Sequence, residues 1–247
     1  MALDKKYLEI ARKLDLDAKK DGEARDVLDS MLLQGDWSEV GKTIKGRNVI
    51  VFGCGPSLKE DVLKFKASAQ ASVFVTIAAD GAAKALLEGG IVPDLVVTDL
   101  DGDINALIES SRLGAITIVH AHADNISRLK EVTPRLKGAV YGTTQVEPTE
   151  KMMNLGGFSD GDRAAYLAEH FKPRTIFLAG MDFGKVAGEY SGTYDPMKKT
   201  IKLSIGKRLL EELAGKTKTR VVNLTSGGEN IKGTRRIGWD RPPSFKA

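Results

Sequence analysis

The sequence predicts an α/β fold: a Rossmann-like, doubly wound, mostly parallel sheet with an N-terminal helical extension. From Arg47 onward, short β-branched runs alternate with helical stretches, which is the rhythm of parallel strands connected by helices. Most of the runs are continuously apolar, as expected for strands buried on both faces. Of the 247 residues, 42% are hydrophobic and 28% are charged, which is typical of a globular protein.

Two amphipathic helices are predicted ahead of the sheet, with Asp4 placed to cap the first. Their apolar residues recur at i, i+3, i+4 and i+7. These residues are Tyr7, Ile10, Ala11 and Leu14 in the first helix, and Ala24, Val27, Leu28 and Met31 in the second. Because each helix has a single apolar stripe, we expect residues 1–45 to pack as an extension on an α/β domain formed by residues 46–247. Residues 35–46 are predicted to be a connector.

Seven strands are predicted in the α/β domain, most of them followed by glycine or a polar residue. They cover residues 49–52, 73–78, 95–98, 116–120, 139–142, 175–179 and 220–224. Residues 188–196 are predicted to form a mobile loop before the last helix. Residues 235–247 are predicted to be a tail of uncertain order.

Charge and composition argue against several classes of protein. The net charge is only +4, and no dense Lys/Arg stripe with interleaved aromatic residues is present, so nucleic acid is not an expected partner. Cys54 is the single cysteine, which favours a reducing compartment. The first 14 residues are charged and amphipathic, and no run approaches about 18 apolar residues, so neither a signal core nor a membrane span is expected. We expect a cytoplasmic protein with small-molecule partners, and a homodimer is one candidate assembly.

The loop after the first strand is glycine-rich. It contains Gly53, Gly55, Pro56 and Ser57 and leads into a helix. Glycines allow the backbone to approach a ligand, and the start of a helix offers free N–H groups to an anion, which favours nucleotide or phosphate binding. The alternative is a plain capping box formed by Ser57 and Glu60.

Aspartates follow the second and third strands. Asp80 ends the second strand, where it either caps the next helix or lines a ligand cleft. Asp99, Asp101 and Asp103 follow at a spacing of two, so in an extended segment their carboxylates converge on one side. Two carboxylates about 4 Å apart repel by roughly 4 kcal/mol at an effective dielectric constant of 20, which predicts a counter-ion such as Mg²⁺. The alternative for Asp103 is a helix cap.

Polar residues also follow the fourth strand. His122, Asp124 and Asn125 are predicted either to face substrate or phosphate, or to form a local cap. The His-x-His pair that His122 completes is a possible zinc motif. However, the chain has only three histidines, which is too few for a histidine-rich metal site.

A second acidic cluster precedes a later apolar helix. Asp160 and Asp162 are flanked by glycines and followed by Arg163. Acids at a helix start are often plain caps, but these two also stand at the predicted ligand-binding edge of the sheet. The sequence therefore leaves two roles open for them, capping and completion of the metal site.

Taken together, the motifs resemble those of one family. They are G-x-G-P-S-L, T-D-L-D-G-D, H-A-H-x-D-N, G-F-x-D-G-D-R-A and L-A-G-M-D-F-G, in this order. Over residues 45–190 the chain is similar to the archaeal 6-hydroxymethyl-7,8-dihydropterin pyrophosphokinases, the MptE-like group, which are related to thiamine pyrophosphokinases. The resemblance implies an α/β enzyme that uses ATP and Mg²⁺ to transfer diphosphate to a hydroxymethyl group and releases AMP.

The resemblance also implies residue roles. Asp99, Asp101, Asp160 and Asp162 match the metal-binding acids of the family, and residues 53–57 and Asp80 match segments that line its cleft. For the proton of the acceptor hydroxyl, Asp80 and Asp124 are candidates. Arg163, Lys185 and Arg235 are candidates for binding phosphate.

The thiamine enzymes differ from this chain. Thr98 stands where they have glycine, Gly102 where they have serine, and too few residues follow Phe183 for their C-terminal β-sandwich, so we expect no thiamine pocket. Three alternatives remain: a related enzyme with another hydroxymethyl acceptor, a dinucleotide-binding oxidoreductase, and a non-catalytic nucleotide-binding or sugar-processing module. The absence of G-x-x-x-x-G-K-[ST] argues against a P-loop kinase.

Overall fold

The computed structural model describes residues 5–14, 16–33, 35–68, 71–184, 186–192 and 196–240. The helices are α1 Lys5–Leu14, α2 Ala18–Met31, α3 Ser38–Ile44, α4 Leu58–Ala67, α5 Ala82–Glu88, α6 Ile104–Arg112, α7 Ile126–Val132, α8 Asp160–His170 and α9 Pro196–Lys216. The strands are β1 Asn48–Phe52, β2 Phe74–Ala79, β3 Leu95–Thr98, β4 Ile116–Ala121, β5 Val140–Thr144, β6 Met152–Met153, β7 Thr175–Ala179, β8 Arg220–Asn223 and β9 Arg235–Arg236.

The strands form one parallel sheet in the order β6-β5-β4-β3-β2-β1-β7-β8-β9. The α/β class predicted from the sequence is therefore confirmed. Alternate residues of each strand enter opposite cores, as Ile50 and Phe52 do on one face and Val49 and Val51 on the other. Helices α2 and α4–α7 cover the first face, and α3, α8 and α9 cover the second. Burial on both faces explains why the strands are continuously apolar.

The direction of winding reverses between β1 and β7. From β1 the chain moves strand by strand to β6, and it then returns to add β7 on the other side of β1. At such a switch point the loops that follow the two central strands diverge and leave a crevice, where ligands bind in open α/β sheets. The loops after β1 and β7 therefore flank the expected binding site.

The two N-terminal helices pack on different parts of the sheet domain. On α1, Ile10 contacts a small apolar cluster that includes Phe158 and Leu209. On α2, which Asp17 caps, Ala24 and Leu28 are fully buried in the core of the first face. The predicted cap Asp4 lies outside the described residues.

Three short elements were not predicted. Helix α3 lies within residues 35–46, where a connector was expected, and it buries Val40 and Ile44, while Trp37 beside it packs on Tyr141 with ring centroids 4.8 Å apart. Strands β6 and β9 have two residues each, too few to show a period. In the predicted mobile loop, residues 188–192 pack on the glycine-rich loop: the Gly188 amide and the Ser191 hydroxyl both donate to the Cys54 carbonyl. Within the described parts of the chain, no helix combines the length and apolarity needed to cross a membrane.

Candidate active site

The glycine-rich loop continues the pairing of β1 with β7. The Gly53 amide donates to the Ala179 carbonyl at 2.9 Å, and the Gly55 amide donates to the Gly180 carbonyl at 2.8 Å. A Cβ atom on Gly55 would lie 2.0 Å from a carboxylate oxygen of Asp182 and 2.5 Å from the Gly180 carbonyl. Only glycine fits here, because any side chain would push the two loops apart.

Ser57 anchors this loop and does not form the predicted capping box. Its hydroxyl lies 2.9 Å from Asp182 Oδ2 and 3.1 Å from Asp61 Oδ2, and its amide donates to Asp182 at 3.2 Å. Its side chain makes no capping bond, and Glu60 pairs with Lys64 instead. The Asp61 carboxylate also accepts the Gly180 amide at 2.8 Å, so two buried acids fix the loops after β1 and β7 to each other.

Asp80 is held rigidly at the end of β2. Its φ angle is +46°, its amide donates to the Val97 carbonyl at 2.7 Å, and its Oδ1 accepts the Thr98 hydroxyl at 2.6 Å. A Cβ atom on Gly102 would lie 2.2 Å from Asp80 Oδ2. Thr98 therefore orients Asp80, and the absence of a side chain at Gly102 makes room for it. Asp80 does not cap α5, whose N-cap residue is Gly81.

Of the three aspartates after β3, Asp99 and Asp101 line the same pocket, whereas Asp103 does not join them as the alternation predicted. Leu100 has a φ angle of +68°, so the extended conformation ends immediately after Asp99. Asp103 then caps α6 by accepting the Ala106 amide at 2.9 Å, and it pairs with Lys84 at 3.0 Å. The convergence is therefore wrong for Asp103, and its alternative role as a cap is confirmed.

A different set of acids meets at the sheet edge. Each of Asp80, Asp101 and Asp160 offers one carboxylate oxygen, and these oxygens all lie within 4.8 Å of one another. The residues come from the loops after β2 and β3 and from the first residue of α8. Asp99 lines the same pocket. Among the described residues, Oδ1 of Asp99 and Oδ1 of Asp160 are buried without a hydrogen-bond partner.

The electrostatics of this cluster favour a bound cation. Burial and the charges of Asp99 and Asp80 raise the pKa of Asp101 to about 8, and burial and Asp99 raise the pKa values of Asp80 and Asp160. Burial opposes ionisation of Asp99, but the hydrogen bond with His122 holds the pKa of Asp99 well below the usual value. Carboxylate oxygens are hard ligands, so the unpartnered oxygens and the mutual repulsion fit a divalent cation such as Mg²⁺.

The polar residues after β4 support Asp99. His122 Nε2 lies 3.2 Å from Asp99 Oδ2, while His122 Nδ1 accepts the Asp124 amide, so the proton sits on Nε2 and faces the carboxylate. Asn125 is buried and donates to the carbonyls of Asp99 and His120, both at 2.8 Å. The side chain of Asp124 is exposed. None of His122, Asp124 and Asn125 lines the pocket.

Asp162 and Arg163 also lie outside the pocket lining. The carboxylate of Asp162 is fully buried and accepts hydrogen bonds from the Phe158 amide and from the amide and hydroxyl of Ser159, which closes a capping box at the start of α8. Arg163 donates to Gln145 Oε1 at 3.0 Å and lies over the Phe158 ring. The structure therefore brings Asp160, and not Asp162, into the acidic cluster.

The pocket itself is a cavity of about 130 Å³ between the glycine-rich loop, the acids and α9. Two lysines one turn apart on α9, Lys199 and Lys202, line the wall that also carries Leu203. Neither lysine was predicted from the sequence, because lysines on a helix are typical of a solvated face. A larger groove of about 770 Å³ beside Trp239 contains none of the clustered acids, and the guanidinium of Arg236 there donates to backbone carbonyls.

Fold and site together define an α/β protein with a cluster of aspartates beside a glycine-rich loop. The model of one family, described as 6-hydroxymethylpterin diphosphokinase MptE-like, matches residues 28–188. A Methanocaldococcus jannaschii protein named 6-hydroxymethyl-7,8-dihydropterin pyrophosphokinase is 43% identical over 195 residues, which cover 75% of this chain and 80% of that protein. A protein of the same name from Methanothermobacter thermautotrophicus is 39% identical over 216 residues, covering 84% and 91%. The chain belongs to the MptE-like family.

A solved structure supports the fold. The Maf glycosyltransferase from Magnetospirillum magneticum matches 91% of this chain with a TM-score of 0.60 at 18% identity. This chain spans 39% of the length of the glycosyltransferase. At this identity the likeness concerns the fold alone.

Proposed function

We propose that this protein transfers diphosphate from ATP to the hydroxymethyl group of 6-hydroxymethyl-7,8-dihydropterin and releases AMP. The observation that carries the proposal is the convergence of Asp80, Asp101 and Asp160, from three separate loops, beside the glycine-rich loop in a member of this family. The names of the two archaeal relatives support the same reaction.

In this proposal the acids hold Mg²⁺ and the opposite wall holds phosphate. Asp80, Asp101 and Asp160 are the ligands, and the carboxylate of Asp99 adds a further negative charge to the same pocket. When bound, the cation would neutralise charge that develops on the transferred diphosphate. Lys199 and Lys202 line the same pocket, so a polyphosphate chain bound there would lie between a cation and two positively charged residues.

The geometry of the site changes which residues we propose for proton transfer and for phosphate binding. Asp80 was a candidate acceptor of the hydroxyl proton, but a carboxylate that binds Mg²⁺ is a weak base, so in this proposal Asp80 serves as a ligand and proton transfer is assigned to no residue. Asp124 is not retained, since its side chain is exposed and outside the pocket lining. Arg163 is buried against Gln145, and Lys185 lies outside the described residues.

A direct assay tests the function. Protein, ATP and Mg²⁺ are incubated with the hydroxymethyl pterin or with thiamine, and AMP is measured; we expect AMP only with the pterin. Asp101→Asn should lower turnover by at least about a hundredfold. Asp103→Asn is the matched control from the same segment and should keep normal turnover, because asparagine also caps helices.

Other outcomes would point to the alternatives. AMP formed only with thiamine would indicate another hydroxymethyl acceptor, and no AMP with either acceptor would contradict the proposal. Tight NADH binding without ATP binding would favour an oxidoreductase. Cytoplasmic location and a homodimer stay predictions, to be checked by fractionation and by light scattering.

A further inference from the structure

A buried carboxylate on α2 connects the N-terminal helices with the active site. Asp21 is 1% exposed and accepts three hydrogen bonds. Its Oδ2 accepts the Tyr7 hydroxyl at 2.5 Å and the Gln145 side-chain amide at 2.8 Å, and its Oδ1 accepts the Ala123 backbone amide at 2.8 Å. The donors belong to α1, to the segment after β5 and to the turn after β4, so one side chain joins three separate parts of the chain.

The first connection runs through Gln145 to Arg163. The amide of Gln145 donates to Asp21 with Nε2 and accepts the Arg163 guanidinium at Oε1, at 3.0 Å. Arg163 is 7% exposed and lies in the first turn of α8, the helix that begins with Asp160. A guanidinium in a poorly solvated site exerts a strong field, so its orientation affects the acids of the cluster.

The second connection runs through the backbone of the turn after β4. Ala123, whose amide is bound by Asp21, directly follows His122, and His122 contacts the Asp99 carboxylate at 3.2 Å. Asn125 in the same turn donates to the Asp99 carbonyl. The bond from Ala123 to Asp21 therefore holds the turn that makes both contacts with Asp99.

We propose that Asp21 is a positioning residue for the active site, which holds Arg163 through Gln145 and holds the His122 turn through the Ala123 amide. The inference rests on the proposed function for its catalytic consequence. Asp21 precedes residues 28–188, which match the family model, so that match assigns it no role. Residues that orient the groups around a metal site commonly affect activity about 10- to 100-fold.

Asp21→Asn tests the hydrogen bonds of Asp21 without changing the size of the side chain. Asparagine has nearly the same volume as aspartate but only one acceptor oxygen. If its NH₂ group faces Gln145, two donors meet, and a flip of the Gln145 amide would present a donor to Arg163. If its NH₂ group faces Ala123, it meets a backbone N–H instead. Either orientation breaks one of the two connections, and only a carboxylate serves both.

The matched control is Asp29→Asn, which changes a second aspartate of α2. Asp29 accepts a hydrogen bond from the Thr149 hydroxyl, and asparagine retains that acceptor. We expect Asp21→Asn to lower kcat for AMP formation about tenfold or more, with KM for ATP and pterin within about twofold of wild type. Asp29→Asn should leave both parameters at wild-type values.

Two further measurements keep the inference testable. Gln145→Leu removes only the first connection and tests it if Asp21→Asn does not fold. Hydrogen exchange needs no activity: Asp21→Ala, which removes both acceptor oxygens, should speed exchange of the Ala123 amide, and Asp29→Ala should not. A wild type that forms no AMP contradicts the proposed function, and the exchange result then still decides whether Asp21 holds the turn. Unchanged exchange, or a lowered Tm with normal kcat, would overturn the positioning role.

Discussion

Asp160 and Asp162 stand two residues apart and should respond to the same substitution in opposite ways. In the structure Asp160 belongs to the acidic cluster, whereas Asp162 closes the capping box at the start of α8. Asparagine at either position keeps the volume and removes the charge. We therefore expect Asp160→Asn to abolish turnover with little cost in stability, and Asp162→Asn to destabilise the fold while the folded fraction stays active.

The magnitudes follow from the contacts. Asparagine at position 162 can still accept the Phe158 amide, but its NH₂ group then faces the amide of Ser159. The lost cap costs about 1 kcal/mol, and an unpaired buried donor costs about 2 kcal/mol, so the free energy of unfolding should fall by about 3 kcal/mol. At position 160 the expected change in the free energy of unfolding has the opposite sign. Two ionised carboxylates whose oxygens lie within 4.8 Å of each other repel by at least about 3.5 kcal/mol at an effective dielectric constant of 20, so a neutral side chain there removes this repulsion when no cation is bound.

Urea unfolding in EDTA measures both free energies, and the AMP assay measures turnover under folding conditions. For Asp162→Asn a decrease in Tm of about 6–12 °C is expected from the same 3 kcal/mol. Loss of Mg²⁺ binding by Asp162→Asn at unchanged stability would refute the assignment of Asp162 as a cap. Unimpaired turnover by Asp160→Asn would remove Asp160 from the cation site.

Two further predictions concern the cation and the phosphate wall. Because Asp80, Asp101 and Asp160 have raised pKa values in the folded chain, stability in EDTA should fall as pH rises from the usual carboxylate range through about 8, where Asp101 titrates. Mg²⁺ replaces those protons, so the rise in Tm on adding Mg²⁺, measured by differential scanning fluorimetry, should become larger from about pH 6 to about pH 9. A rise in Tm that does not change with pH would contradict Mg²⁺ binding by these acids. Lys202→Met should raise KM for ATP about tenfold at unchanged Tm. Lys207→Met, a change on the same helix that removes an ion pair with Glu229, should leave KM unchanged.

The strands of the sheet could be predicted because each has a recognisable apolar pattern in the sequence. β3 (Leu95–Thr98) and β7 (Thr175–Ala179) were predicted to the residue, since an apolar β-branched run bounded by polar residues has few other structures available. The helix α3 (Ser38–Ile44) was missed because only Val40 and Ile44 face the core, too few residues to establish a helical period. The order of the strands depends on tertiary packing and could not be derived from these runs.

The candidate site was only partly predictable. The spacing of Ser159 and Asp162 is that of a capping box, a signal that would have separated Asp162 from Asp160. No comparable signal existed for Asp103, because its direction depends on the left-handed backbone of Leu100, a residue in which that conformation is uncommon. Nor could the sequence show that Asp21 reaches the site, since that contact joins α2 to segments about a hundred residues away.

The central place of β1 has a consequence for biosynthesis. Its second neighbour, β7, is made more than 120 residues later, and the partner that fixes Ser57, Asp182, is 125 residues away in the chain. While the ribosome extends the chain, one edge of an apolar strand is left without its native neighbour, and the glycine-rich loop lacks its anchor. A nascent chain that stops short of Asp182 would thus carry most of the sheet but no anchored glycine-rich loop, so the site is assembled only during the final third of translation.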